Sequence, residues 1–474
     1  MVTEETHFGR LLASWADAHG DKSGFFPLGQ GMDALGARLR MLEKADESVD
    51  LQYFLMKDDT AGRVMLHALL QAADRGVRVR FLLDDIFTEA PDRNLLLINQ
   101  HPNIEVRLFN PISRRGSHFL NFVGNFRQAN RRMHNKSFTV DKAVSIVGGR
   151  NIADEYFQLD ETAVFADFDV LAIGPIASDI LTSFDAYWNF SFAIPIEQLS
   201  SEVEAGTLEQ ERASIDEKIS ATYSRVYEKA LQSRLLQELI AGQRSFFEAA
   251  AKVLADYPEK LENEIGDEHK KLIGELREFL RSAEQEVIFL SPYYVPGKNG
   301  IELLRSLSES GVRVVVATNS LASNNHVPVH SGYARYRKDT IRAGVELYEA
   351  RADAGRNTGR GDNSTEKFTL HTKLVLVDRR YLFVGSLNLD PRSIDINAEM
   401  GLLIDSAEMT STLADALDEL IQMYSYRVDL NSRGRLEWRG TIDGAEVVEK
   451  SEPQASLWLR FKAWVLRIGP ESQL

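Results

Sequence analysis

His134, Lys136 and Asp141 stand at the spacing H-x-K-x4-D, and His371, Lys373 and Asp378 repeat that spacing 237 positions later. Each set falls in a short run rich in β-branched and apolar residues, MHNKSFTVD and LHTKLVLVD, which reads as a strand. Side chains alternate across a strand, so each histidine shares a face with the lysine two positions on. A neutral imidazole, with its ordinary pKa of ~6.5, can attack phosphorus. A second, protonated one can give its proton to a departing alkoxide and take one from an incoming hydroxyl. Two lysines can neutralise the equatorial oxygens during transfer, the task a metal ion performs elsewhere. Two histidines and two lysines meeting across a pseudo-twofold axis make a compact cationic centre that suits a tetrahedral phosphate and calls for neither metal nor cofactor. One such spacing alone is an ordinary half-exposed strand; the in-register pair is what marks a site.

The positions after each motif extend the pattern. Gly149 and Asn151 follow the first, Ser386 and Asn388 the second, and close backbone approach with polar donors fits further phosphate contacts. The elements that must position these residues are themselves duplicated. SVDLQYFLMKDD and GVRVRFLLDD in the first half match QEVIFLSPYYVP and GVRVVVATNS in the second, and the glycines leading the second strands (Gly76, Gly311) lie 235 positions apart. IEVRLFNP then matches VELYEA. Strands alternating with helical stretches such as LHALLQAADRG predict an α/β sandwich in each half. The expected fold class is therefore α/β, a duplicated three-layer sandwich with pseudo-twofold symmetry. The expected domains are residues 1–200 and 286–474, each with one motif, around a helical connector at 201–285 that is charged and poor in strand formers.

The 474-residue length agrees with more than one core. The chain has no cysteine, which excludes disulfides, thiolate metal sites and a cysteine nucleophile. Its net charge of −15 disfavours a general nucleic-acid-binding face. The N-terminus is acidic and lacks an apolar stretch with a cleavage site, so no secretory signal is expected, and no run of 18 apolar residues predicts a spanning helix. The pairs Asp58–Asp59 and Asp84–Asp85 read as loop and strand-end carboxylates rather than cation ligands.

The doubled H-x-K-x4-D with trailing G-G-x-N and G-S-x-N resembles the phospholipase D superfamily over nearly the whole chain. More narrowly, FFPLGQGMDALGARLRM, RRMHNKSFTVD, VGGRNIADEYF, ATNSLASNN, HSGYARYRK and NLDPRS resemble bacterial cardiolipin synthases of the C type. The resemblance implies phosphatidyl transfer through a phosphohistidine, from one phospholipid onto a hydroxyl of phosphatidylglycerol, with phosphatidylethanolamine a further candidate lipid. Hydrolysis to phosphatidic acid is the rival outcome, because water can attack the same intermediate. By resemblance His134 is the nucleophile and His371 the acid–base partner, or the reverse. Lys136 and Lys373 match the phosphate lysines, and Asp141 and Asp378 the motif aspartates. A downstream carboxylate often orients a histidine in this superfamily, for which Glu399 and either Asp167 or Asp169 are candidates.

Lipid contact is expected at two places. Asn110 to Lys136 carries six basic residues, among them Arg114 and Arg115, and no acid, with Phe119, Phe122 and Phe126 between them. This reads either as a flap meeting anionic lipid or as a loop filling its own small core. The C-terminal SLWLRFKAWVLRIG sets Trp458, Phe461 and Trp464 among cations, the pattern of an interfacial anchor or of a docked terminal helix. The implied partners are anionic phospholipids and a membrane surface, not nucleic acid. The implied location is peripheral on the cytoplasmic membrane and otherwise cytoplasmic.

Overall fold

Three parallel strands frame each half. In the computed structural model, which describes residues 4–86, 92–112, 130–160, 163–199, 208–210, 212–213, 222–234, 237–238, 243–262, 271–354, 367–442 and 444–467, these are β2 (Ser48–Tyr53), β3 (Arg78–Asp84) and β4 (Ile104–Phe109) in the first half. Helices α3 (Thr60–Asp74) and α4 (Asp92–Ile98) make the crossovers. Gly76 turns the chain from α3 into β3 at φ 96°, a left-handed conformation that glycine adopts without a Cβ clash, and Gly311 does the same at φ 89° in the second half. Antiparallel strands β5 (Ser137–Val140), β6 (Val144–Gly148), β8 (Asp169–Ile173) and β1 (Ser23–Leu28) continue the sheet beyond β2. Strand β9 (Ala193–Pro195) closes the far side of β4.

The second half repeats this order. Strands β11 (Glu286–Leu290), β12 (Arg313–Asn319) and β13 (Glu346–Ala350) are parallel. Beyond β11 lie β15 (Leu374–Val377), β16 (Tyr381–Gly385), β17 (Met400–Asp405) and β10 (Phe247–Ala255). Beyond β13 lie β18 (Ser425–Leu430), β19 (Leu436–Ile442) and β20 (Ala445–Glu449). Strands β1 and β10 pair antiparallel, Phe25 against Phe247, and fuse the halves into one sheet, of 18 strands among the described residues, with the pseudo-twofold axis between them.

Helices α2 (Gly31–Glu43) and α3 cover one face of the first half and α5 (Ile176–Trp188) the other. In the second half α7 (Lys271–Leu280), α8 (Gly297–Glu309) and α9 (Val327–Arg342) lie opposite α10 (Ala407–Tyr424). One hydrophobic cluster crosses the axis, joining Phe25, Val170 and Ile180 to Ile288, Leu374 and Ile404. The three-layer, duplicated α/β architecture is as expected. No helix among the described residues is long and apolar enough to cross a membrane.

One segment departs from expectation. The stretch 201–285 holds helices α6 (Thr222–Leu231) and α7, but FEAAAKVLA is the nine-residue strand β10, not a helix. Its alanines, leucine and lysine favour a helix locally. Two open edges, β1 on one side and β17 on the other, satisfy its backbone as a strand instead, and Glu248, Ala250 and Lys252 alternate outward.

Candidate active site

Each histidine strand is held by the opposite half. The His134 amide donates to the Ala398 carbonyl at 2.9 Å, and the Ala398 amide donates to the Arg132 carbonyl at 2.9 Å. In the second half β14 (Lys367–Leu370) pairs with β7 (Ala163–Ala166), and the amides of His371 and Thr372 both donate to the Ala166 carbonyl, at 2.7 and 2.9 Å.

The same exchange governs the side chains. His134 Nδ1 lies 2.8 Å from Glu399 Oε2, and His371 Nδ1 lies 2.6 Å from Asp167 Oδ2. Both carboxylates are fully buried. A carboxylate on Nδ1 fixes the proton there and leaves the Nε2 lone pair for chemistry. Burial pulls the pKa of His134 to about 4 despite Glu399, and that of His371 to about 3 with Lys373 adding to the effect. Both imidazoles are therefore neutral near pH 7, the form that can attack. Burial alone would raise both carboxylates; His134, Lys136 and the Ser386 hydroxyl hold Glu399 below its ordinary value instead, and Lys373 and His371 do so for Asp167.

Lys136 and Lys373 reach back over their histidines, donating from Nζ to the His134 carbonyl at 2.6 Å and the His371 carbonyl at 2.5 Å. Burial pulls them to about 7 and about 8, and each histidine also feels the lysine of the other half. The four groups thus share one low-dielectric space with the two carboxylates. Phe54 meets His134 edge-on at 4.8 Å, and Phe165 stacks on His371 at 5.3 Å.

The remaining expected positions divide. Asp141 and Asp378 close the hairpins at the other end of the motif strands, at φ 50° and 52°. Asp141 accepts the amides of Asp46, Glu47 and Ser48, and Asp378 those of Glu284, Gln285 and Glu286. Neither reaches the histidines; of the two roles open to the motif aspartates, catalytic or supporting, they take the supporting one here, each anchoring the loop feeding β2 or β11. Asp169 also lies away from the histidines, paired with Arg38 at 2.9 Å and Arg150 at 3.4 Å, and of the two candidates it is Asp167 that touches His371.

Ser386 does not face that shared space as a phosphate donor. It is fully buried, its hydroxyl donates to Glu399 and accepts from the Met400 amide at 3.0 Å. At the equivalent place a Cβ on Gly149 would lie 2.2 Å from Asp167 Oδ1, so the glycine makes room for the carboxylate. Asn151 donates to the Tyr156 hydroxyl at 3.0 Å and Asn388 to Ser393 Oγ at 3.3 Å, leaving both Oδ1 atoms buried without a partner.

Asp84, read from the sequence as a strand-end carboxylate, stands at the end of β3 and has a supporting role the sequence did not show. It accepts the Met133 amide at 3.0 Å, next to His134, beside the buried Arg132. Asn319 serves the same role 235 positions later, accepting the Leu370 amide at 2.9 Å next to His371. The constant spacing of the repeat was the available signal. Burial also raises Asp390, behind Asn388, to about 7.

Arg114, Arg115, Phe119 and Phe122 lie outside the described residues. Of the basic stretch, Arg132 is buried against Asp84 rather than turned to lipid. His330, Tyr333 and Arg337 of HSGYARYRK are buried with Glu349 and Glu452 in an internal ion cluster.

The family model described as "cardiolipin synthase, PLD-like domain" matches residues 39–188 and 276–421, one segment per half. Cardiolipin synthase C of Escherichia coli (strain K12) is 38% identical over 459 residues, covering 95% of this chain and 96% of that protein. Cardiolipin synthase B of the same strain is 25% identical over 85% of this chain and 81% of its own length. Among solved structures, a phosphatidylserine synthase from Haemophilus influenzae superposes with a TM-score of 0.59 at 15% identity, covering 94% of this chain and 92% of that one, a likeness of fold. The chain belongs to the cardiolipin synthase family of phospholipase D-like proteins.

Proposed function

We propose that this protein is a phosphatidyltransferase that moves a phosphatidyl group between phospholipids through a phosphohistidine, yielding cardiolipin when the acceptor is phosphatidylglycerol. The observation that carries this reading is the pair of buried imidazoles, each held at Nδ1 by a buried carboxylate and each beside a buried lysine. One histidine attacks the phosphorus of the donor lipid through Nε2, forming an N–P bond as the P–O bond to the head-group alcohol breaks. The other, charged in the field of the bound phosphate, gives its proton to that alkoxide. The acceptor hydroxyl then attacks phosphorus, loses its proton to the same histidine and releases the first. Lys136 and Lys373 balance the equatorial oxygens throughout. The partnerless Oδ1 atoms of Asn151 and Asn388 suit hydroxyl donors, which a glycerol head group supplies. The likeness to cardiolipin synthase C over almost the full length supports transfer over hydrolysis. Incubating the protein with phosphatidylglycerol, alone and with phosphatidylethanolamine, should give cardiolipin by mass spectrometry. Phosphatidic acid as the sole phosphatidyl product would make it a hydrolase and overturn the proposal.

The same reading places the protein on a membrane surface through helix α11 (Leu457–Leu466). This helix docks by Ala463 and Leu459 against Leu321 and Ala322, two residues beyond the Asn319 that supports the His371 strand. Its outer face leaves Leu457 82%, Trp458 71% and Trp464 60% exposed, with Phe461 between the two indoles and Lys462 beside them. Rings with a neighbouring cation suit the head-group boundary of an anionic bilayer. Replacing Trp458 and Trp464 by serine should weaken partition onto phosphatidylglycerol vesicles by about tenfold or more, since each ring buries on the order of 1.5–3 kcal/mol of apolar surface. Melting temperature and turnover of a soluble short-chain substrate should stay unchanged. Equal vesicle binding would remove α11 from the interface.

A further inference from the structure

The two halves differ in how their paired outer helices meet. In the first half α2 packs directly on α3, and Leu35, Leu39, Ala61, Val64 and Met65 are all fully buried in one core. Helix α6 lies over both, and Ile152, at the wall behind the first motif, is fully buried too. The equivalent helices of the second half, α7 and α8, stand apart around a cleft of about 640 Å³. Leu303 of α8 and Leu389 and Ile394 of the wall are only partly buried there, over a floor that includes Phe289, Tyr294 and Leu304. A polar cleft of about 570 Å³ adjoins it and shares Arg277, Asn299 and Leu303 with it. Across the two clefts, Arg277, Arg281 and Lys298 have no carboxylate partner among the described residues, in a chain of net charge −15. Glu302 and Asp395 are the acids on the same lining.

We infer that this cleft is a second lipid site, separate from the reaction centre, which takes an acyl chain of an anionic phospholipid in its apolar part and the phosphate in its cationic part. Its size falls in the ~300–1,000 Å³ range of small-molecule sites. An apolar chamber opening onto unpaired guanidinium groups matches an anionic amphiphile and neither a free phosphate nor a neutral chain. The wall Leu389–Asp395 also carries Asp390 and Ser393, Ser393 Oγ accepts the Asn388 side chain, and Arg392 donates to Asn130 ahead of His134, so the wall of the cleft is continuous with the segment that leads to His134. The site lies beyond the proposed reaction, and only the choice of a phospholipid as occupant rests on that reading.

The test uses the full-length chain carrying His371→Ala, so that no turnover occurs. Vesicles of phosphatidylcholine contain phosphatidylglycerol with a photoreactive diazirine on one acyl chain, or the same label on phosphatidylcholine. Adducts are mapped by peptide mass spectrometry. Labelling of α7 and α8 is expected with the phosphatidylglycerol probe and about tenfold less with the phosphatidylcholine probe. Leu303→Trp, which fills the chamber, and the pair Arg277→Glu with Lys298→Glu, at a half-buried and an exposed position, should each lower that labelling about tenfold at unchanged melting temperature. Adducts confined to the segments bearing His134 and Asn388, equal labelling by both lipids, or labelling unchanged in both variants would overturn the site. Cleft labelling in a wild-type chain that makes no cardiolipin would leave this site standing and sink the proposed reaction; cardiolipin without cleft labelling would do the reverse.

Discussion

Alanine at His134 or at His371 is expected to lower kcat by roughly 10⁴-fold or more, with the melting temperature little changed. Neither imidazole has a substitute within reach: Nδ1 of each meets a carboxylate, and the neighbouring lysines donate to backbone carbonyls, Lys373 Nζ lying also 2.9 Å from His371 Nδ1. The double variant should lose little beyond either single one, because groups that act as a unit are strongly non-additive. The pair also separates the two roles. Rapid quenching with radiolabelled lipid should trap a phosphatidyl adduct in only one of the single variants, since losing the acid–base partner slows breakdown of the adduct while losing the nucleophile prevents its formation. Full activity in either alanine variant would refute the two-histidine scheme.

Glu399→Gln and Asp167→Asn are expected to cost on the order of 10²–10⁴ in kcat while leaving the fold intact. The amides keep volume and a hydrogen bond, but they can present a donor to Nδ1 and so stabilise the wrong tautomer. The charge that favours a protonated imidazole goes as well. Burial already pulls both histidines far down, and the carboxylates are what oppose it. Removing the one on the acid–base partner should therefore move that partner's pKa in the lipid complex further down, a shift of the alkaline limb of the pH–rate profile toward lower pH. Asp169→Asn supplies the contrast. Asp169 balances the buried Arg38 and Arg150, so its loss should destabilise the fold by about 3–5 kcal/mol through an uncompensated internal charge. A Glu399→Gln or Asp167→Asn chain that kept wild-type rate and profile would reduce these carboxylates to packing groups.

Which parts of this were legible in the sequence follows from how local each determinant is. The spacing of His134, Lys136, His371 and Lys373 is a property of single strands and survived intact. The duplication was legible because four strand pairs kept one register. Asp167 and Asp169 could not be told apart, because both are carboxylates of the same parity on one run, and the distinction is made by a strand of the other half. Ser386 looked like a phosphate donor since motif position says nothing about which way a hydroxyl turns; Glu399 and the Met400 amide decide it. Asp141 and Asp378 could be placed in the motif but not given a role by it; their place at a left-handed turn gives them three backbone amides each. Strand β10 was hidden by helix-forming composition, although the outward alternation of Glu248, Ala250 and Lys252 was there to be seen.

The crossing of carboxylates between halves has a consequence for how this chain can change over generations. A histidine in one half works only if the other half keeps its acid, so neither copy is free to drift into a separate occupation after duplication. What can differ is the way each acid is seated. The second half seats a longer glutamate with a serine, and the first a shorter aspartate against a glycine that leaves no room for a side chain. A serine placed at Gly149 would collide with Asp167 and be felt at His371, on the far side of the axis. The two copies are thus unequal in detail and inseparable in fate, and heredity must treat the pair as one trait.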